Sequence, residues 1–89
     1  MAARSIYRIY TQEKNREKIL KLVSEAFESF TVQPILGYYQ GKKEKSIVLE
    51  IVGARALQIQ QLADTIGKIN GQKSVLILHV RGEARTIRD

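Results

Sequence analysis

The sequence of 89 residues contains no cysteine, no tryptophan, one proline and one histidine. Without cysteine the chain forms no disulfide and offers no thiolate to a metal. No carboxylates cluster in sequence around the lone His79, and the glycines are scattered rather than gathered in a phosphate-binding loop, so we expect no metal and no cofactor. No apolar run reaches the roughly 20 residues of a transmembrane helix, and no signal peptide opens the sequence. We therefore expect a cytoplasmic protein without a membrane partner.

Size and composition predict one small globular domain. The chain has a mass of 10.1 kDa, with 44% hydrophobic and 27% charged residues, which is ordinary for a folded domain. We expect this domain to span residues 1–80 and to be followed by a flexible basic tail over 81–89, which has too few apolar residues to pack.

Basic residues exceed acidic ones by 15 to 9, giving a formal charge of +6 and a pI near 9.8. Such an excess attracts anionic ligands and partners. The basic side chains concentrate in one short stretch and in the last nine residues, namely Lys42, Lys43, Lys45, Arg81, Arg85 and Arg88.

Hydrophobic periodicity alternates between that of strands and that of helices. Strands are predicted over 5–11, 31–39, 46–52 and 73–80, and helices over 15–30 and 55–69. The order β-α-β-β-α-β predicts a ferredoxin-like α+β fold, a four-stranded antiparallel sheet with two helices on one face. Right-handed crossovers place the first and third strands in the middle, and Pro34 predicts that the second strand lies at an edge.

Alternation along the strands assigns each residue to one face of this sheet. The face toward the helices is predicted to hold Tyr7, Ile9, Ile47, Leu49, Ile51, Leu76, Leu78 and Val80. The open face is predicted to hold Ile6, Arg8, Tyr10, Val48, Glu50, Val52, Val75, Ile77 and His79. Arg8 and Glu50 lie on neighbouring strands, where opposite charges pair. An open face this apolar predicts a homo-oligomer that covers it.

Candidate catalytic residues are few. A small enzyme would depend on Glu44 or His79. Glu44 and Glu50 lie at the tip and middle of one strand, about 20 Å apart at the rise of an extended chain, so they do not converge within it. We therefore expect no enzymatic activity.

Nucleic-acid binding is the second alternative. The order of elements is shared with the RNA-recognition motif, which stacks bases on aromatic residues of its first and third strands. Here the third strand, residues 46–52, has no aromatic residue. The mode of nucleic-acid binding that the sequence still allows is non-specific electrostatic binding through the basic hairpin and the tail.

Four short patterns between residues 30 and 80 resemble a family of small uncharacterised bacterial and phage-associated proteins. They are F-T-V, G-Y-Y-Q-G, E-x-S and G-Q-x-S-V, contributed by Phe30, Thr31, Val32, Gly37, Gly41, Glu44, Ser46, Gln72, Ser74 and Val75. The resemblance implies a ferredoxin-like fold and a bacterial or phage accessory protein, and it brings no known activity. The order of elements is also similar to that of trimeric PII-like signalling domains, although the loop between the second and third strands is only a few residues here.

These observations favour a non-enzymatic binding module, a homo-oligomer that recognises an anionic ligand or partner such as a nucleotide, nucleic acid or an acidic protein. A hairpin with a basic tip is its candidate binding site, because aromatic residues precede the lysines there; the alternative is a solvated turn that only keeps the hairpin soluble. The candidate ligand-binding residues are Lys42, Lys43, Lys45, Tyr38, Tyr39, Glu44 and Gln72.

Overall fold

Six elements form in the predicted order in the computed structural model, which describes residues 3–83. They are β1 (Ala3–Gln12), α1 (Arg16–Ala26), β2 (Thr31–Tyr39), β3 (Lys42–Val52), α2 (Ala56–Asn70) and β4 (Leu76–Glu83). The strands form one antiparallel sheet in the order β2-β3-β1-β4. The ferredoxin-like prediction is confirmed, and so is the edge position of β2, whose Pro34 has no amide hydrogen to donate to a second neighbour.

Both helices cover the same face of the sheet. Alternate residues of β1 and β3 pack against apolar residues of the two helices and are almost completely buried. The core consists of Tyr7, Ile9, Ile19, Val23, Ile47, Leu49, Ile51, Ile59, Leu62, Ala63 and Ile66. Burying these side chains is the main force that holds the two layers together.

The ends of the helices follow local signals. α2 ends where Gly71 takes a left-handed conformation with φ of 64°, and its amide hydrogen-bonds to the carbonyls of Gly67 and Lys68. α1 ends four residues before the predicted end, because Phe27 is already extended with φ of −136°. Phe27 and Phe30 still pack against the core, from the connection rather than from the helix.

The predicted face of β4 is wrong by one residue. Ile77 pairs with the buried Ile9 and His79 with the buried Tyr7, and residues paired directly across an antiparallel sheet share a face. Val75 and Ile77 pack against the core. Val75, Ile77 and His79 therefore lie on the helix side, whereas Leu76, Leu78 and Val80 lie on the open face.

The hairpin between β2 and β3 has a shorter turn than the sequence indicated. Only Gln40 and Gly41 form it, and their φ angles of 50° and 78° are those of a type I′ turn. The three lysines of the predicted tip belong to β3, which starts at Lys42. β4 likewise continues to Glu83, three residues past the predicted domain boundary; the rest of the predicted tail, residues 84–89, lies outside the described residues.

Candidate binding surfaces

The open face of the sheet is an apolar surface around one ion pair. Six of the nine residues predicted for it lie there, namely Ile6, Arg8, Tyr10, Val48, Glu50 and Val52. β4 adds three large apolar side chains that the sequence had assigned to the other face. Leu76, Leu78 and Val80 are 64%, 39% and 37% exposed.

Arg8 and Glu50 form the predicted cross-strand pair at the centre of this face. Arg8 Nε donates a hydrogen bond of 2.7 Å to Glu50 Oε2, and both side chains remain more than a third exposed. This hydrogen bond, and then the negative charge of Glu50, raise the pKa of Arg8 above its usual value. Arg8 stays charged, as arginine does in proteins, and the pair places a guanidinium beside a carboxylate on the open face.

A second surface is a cavity of about 480 Å³ beside the hairpin. It lies between the start of β3 and the turn that joins β1 to α1, since these two segments meet where the antiparallel pairing of β1 with β3 ends. Its lining consists of Gln12, Glu13, Lys14, Tyr39, Lys42, Lys43, Glu44 and Lys45.

The structure brings five of the seven predicted ligand-binding residues to this cavity. Tyr39, Glu44 and the three lysines of β3 line it, whereas Tyr38 and Gln72 do not. Lys14 was missed by the sequence analysis. Its position follows from the topology, because the end of β1 must meet the start of an antiparallel β3.

A polar network centred on the buried Asn70 and Thr11 holds the β1–α1 turn in place. Asn70 Nδ2 donates hydrogen bonds of 3.0 Å to Thr11 Oγ1 and 3.1 Å to the Gln12 carbonyl. Thr11 Oγ1 donates in turn to Gln72 Oε1. Asn15 Nδ2 donates to Asn70 Oδ1 and to the Ile69 carbonyl, both at 3.2 Å. Gln72 therefore braces the turn and does not line the hairpin cavity.

The two candidate catalytic residues, Glu44 and His79, do not lie in one site. Glu44 lines the hairpin cavity, while His79 stacks on Tyr7 and lies 3.1 Å from Ser5 Oγ. Within residues 3–83, no group of three or more His, Cys, Asp or Glu side chains is placed to hold a metal ion. The described helices include none that is long and apolar enough to cross a membrane.

The fold and the two surfaces define a ferredoxin-like α+β domain whose open sheet face, within residues 3–83, is largely apolar. No family model and no curated protein sequence matches the chain significantly. Among solved structures, a DUF3240 family protein from Shewanella baltica is similar over 100% of both chains, with a TM-score of 0.72 and 14% identity.

Two further solved structures share the fold. CutA from Synechococcus elongatus, complexed with Bis-Tris, has a TM-score of 0.68 and 13% identity over 98% of this chain and 87% of its own. CPII from Thiomonas intermedia, a nitrogen regulatory PII-like protein bound to ADP, AMP and bicarbonate, has a TM-score of 0.67 and 12% identity over 97% and 98%. The expected likeness to uncharacterised and PII-like proteins is therefore supported at the level of the fold.

Proposed function

We propose that this protein is a non-enzymatic binding module that self-associates through the open face of its sheet and recognises an anionic ligand. The observation that carries the proposal is the exposure of Leu76, Leu78 and Val80 on β4, with Val52 of β3 exposed on the same face across β1. Covering apolar surface contributes about 25 cal/mol for each Å² removed from water. A domain of this size gains stability from such burial, since its own core is small.

A second copy of the chain fits this face in charge as well as in polarity. Arg8 and Glu50 lie side by side at its centre, so a copy related by rotation can oppose each charge with its opposite. An acidic or basic partner would leave one of the two charges facing a like charge, which is unfavourable on burial. A self-complementary surface of this kind is typical of symmetric homo-oligomers.

Anion recognition is assigned to the hairpin cavity, where Lys42, Lys43 and Lys45 lie beside Tyr39. Regulatory and ligand-bound proteins occur among the structures with this fold, including the PII-like protein described with ADP and AMP. A role in binding is favoured over catalysis because Glu44 and His79 lie on separate parts of the sheet. Binding of nucleic acid is the alternative function. An assay that compares a compact anion with an extended polyanion distinguishes the two.

Sedimentation equilibrium and native mass spectrometry test the self-association. The wild type is expected to be larger than the 10.1 kDa of one chain at micromolar concentration, and Leu78→Asp and Leu76→Ser are expected to dissociate it while keeping the wild-type circular dichroism. Leu57→Asp is the matched control, because Leu57 is 66% exposed on α2, in the opposite layer. A wild type that stays a monomer at high micromolar concentration contradicts the proposal.

A further inference from the structure

We infer that the hairpin cavity holds a compact molecule that carries several phosphates, and that Lys14 binds it together with the lysines of β3. This inference rests on the proposed function and adds to it the class of ligand and a residue from a second segment of the chain.

Charge in the cavity favours a ligand with several negative charges. Four lysines and two glutamates line it. Glu13 is already paired, because its Oε1 lies 3.1 Å from Arg16 Nη1. Glu44 is thus the carboxylate left among the lining residues, and because side chains alternate along β3 it shares one face with Lys42 while Lys43 and Lys45 share the other. Lysine binds phosphate as a mobile point charge, so lysines from two segments can close around one multiply charged group.

The placement of lysines on two segments of the chain favours a compact ligand over an extended chain. A volume of about 480 Å³ falls within the range of roughly 300–1,000 Å³ that small-molecule sites occupy. A nucleic-acid strand spreads its charge at about one phosphate per 3.4 Å of helix axis, and a row of lysines along β3 alone would suit it. Lys14 instead faces the same cavity from the β1–α1 turn.

Hydrogen bonds hold the β1–α1 turn, which carries Lys14, in place. The Glu13 amide donates a hydrogen bond of 3.0 Å to the Lys45 carbonyl, and the Lys14 amide donates one of 2.8 Å to the Gln12 carbonyl. Asn15 follows in a left-handed conformation, with φ of 53°, and uses its side chain to bind the end of α2 instead of capping α1. These hydrogen bonds fix the turn that carries Lys14 against the end of α2.

Both non-glycine residues with positive φ in the described chain flank this cavity. Asn15 follows the turn on one side, and Gln40 forms the hairpin turn on the other. At Gln40 the left-handed conformation belongs to the type I′ hairpin turn, and at Asn15 it leads the chain into α1. The hydrogen bond from the Glu13 amide to the Lys45 carbonyl joins the two segments without a ligand, which lowers the entropic cost of binding.

Isothermal titration calorimetry with inorganic tripolyphosphate and, in parallel, with heparin tests the inference. Tripolyphosphate is expected to bind the wild type at 50 mM salt. Lys14→Gln and Lys43→Gln are each expected to weaken it at least about tenfold, the usual effect of losing one charge-assisted hydrogen bond. Lys21→Gln, a change at an exposed lysine of α1, is the control and is expected to bind like the wild type.

Two results overturn the inference, and they are distinguishable. If heparin binds through Lys42, Lys43 and Lys45 while tripolyphosphate does not bind and Lys14→Gln has no effect, the ligand is an extended polyanion and only the inference fails. If neither probe binds at 50 mM salt, anion recognition itself fails. All variants replace exposed lysines, so their melting temperatures should match that of the wild type.

Discussion

The imidazole of His79 stacks on the ring of Tyr7 across strands β4 and β1, with centroids 4.3 Å apart and planes 10° from parallel. His79 Nε2 also lies 3.1 Å from Ser5 Oγ, on the same face. Tyr7 is buried at the edge of the core. The contact shows that the lone histidine covers one end of the core and does not face the open side of the sheet.

Replacing this histidine should lower stability through lost stacking. We expect His79→Ala to reduce the free energy of unfolding by about 1 kcal/mol, the usual contribution of a stacked aromatic pair. His79→Phe keeps the stack and should retain most of the stability. Urea unfolding followed by circular dichroism measures both, and equal stability of the alanine and phenylalanine variants would show that the stack contributes nothing.

Two substitutions in the hairpin turn are expected to change the stability of the protein in opposite directions. Gly41 has φ of 78° with open space where a Cβ would lie, so Gly41→Ala should cost about 1 kcal/mol through backbone conformation alone. Gln40→Asn should stabilise by about 0.5 kcal/mol, since asparagine is preferred at the first central position of a type I′ turn. Gly82→Ala is the control, because Gly82 lies in β4 with free space and no positive φ.

Thermal unfolding distinguishes these three variants. The expected order of melting temperature places Gln40→Asn above the wild type and Gly41→Ala below it, with Gly82→Ala at or slightly above the wild type. Loss of stability in Gln40→Asn would mean that the turn is not of type I′.

Asn70 supplies donors at the buried centre of a polar network. It is 4% exposed and donates to Thr11 Oγ1 and the Gln12 carbonyl. Asn70→Asp keeps the size but removes both donors and should cost about 1–3 kcal/mol, because buried acceptors are left unpaired. Ser74→Ala, at an exposed position nearby, should stay within about 0.5 kcal/mol of the wild type. Chemical denaturation of the two variants side by side gives the difference, and an unchanged Asn70→Asp would contradict the network.

Leu49 tests the core directly. Its side chain is fully buried at the centre of β3, between β1 and β2. Leu49→Asp should prevent folding, since an unpaired charge in the interior costs several kcal/mol. Leu49→Ala should fold with a loss of about 2–5 kcal/mol. Proton NMR spectra distinguish the two outcomes, and a dispersed spectrum for the aspartate variant would show that this position is not the core.

Much of the architecture was predictable because local and tertiary preferences agree. Asn70 and Gly71 mark the end of α2, Pro34 marks β2 as an edge strand, and the pairing of Arg8 with Glu50 follows once β1 and β3 are neighbours. The end of α1 was not predictable in this way. Phe27 and Phe30 continue the helical spacing of apolar residues, although they reach the core from an extended connection.

β4 shows where periodicity fails. Val75, Leu76, Ile77, Leu78 and Val80 are all apolar, so alternation cannot say which set is buried, and a shift of one residue exchanges the two faces. The pairing of Ile77 with the buried Ile9 shows that Val75 and Ile77 face the helices. Because of that register, the exposed surface on the open side is larger than the sequence indicated.

The amino-acid sequence by itself determined the order of elements, the edge position of β2 and the concentration of positive charge at residues 42–45, since these depend on neighbours along the chain. Only the tertiary structure decided which side of β4 faces the helices and that Lys14 joins Lys42, Lys43 and Lys45 at one cavity. Both depend on register and strand order. A sheet brings together residues far apart in sequence, and no local pattern specifies which of them meet.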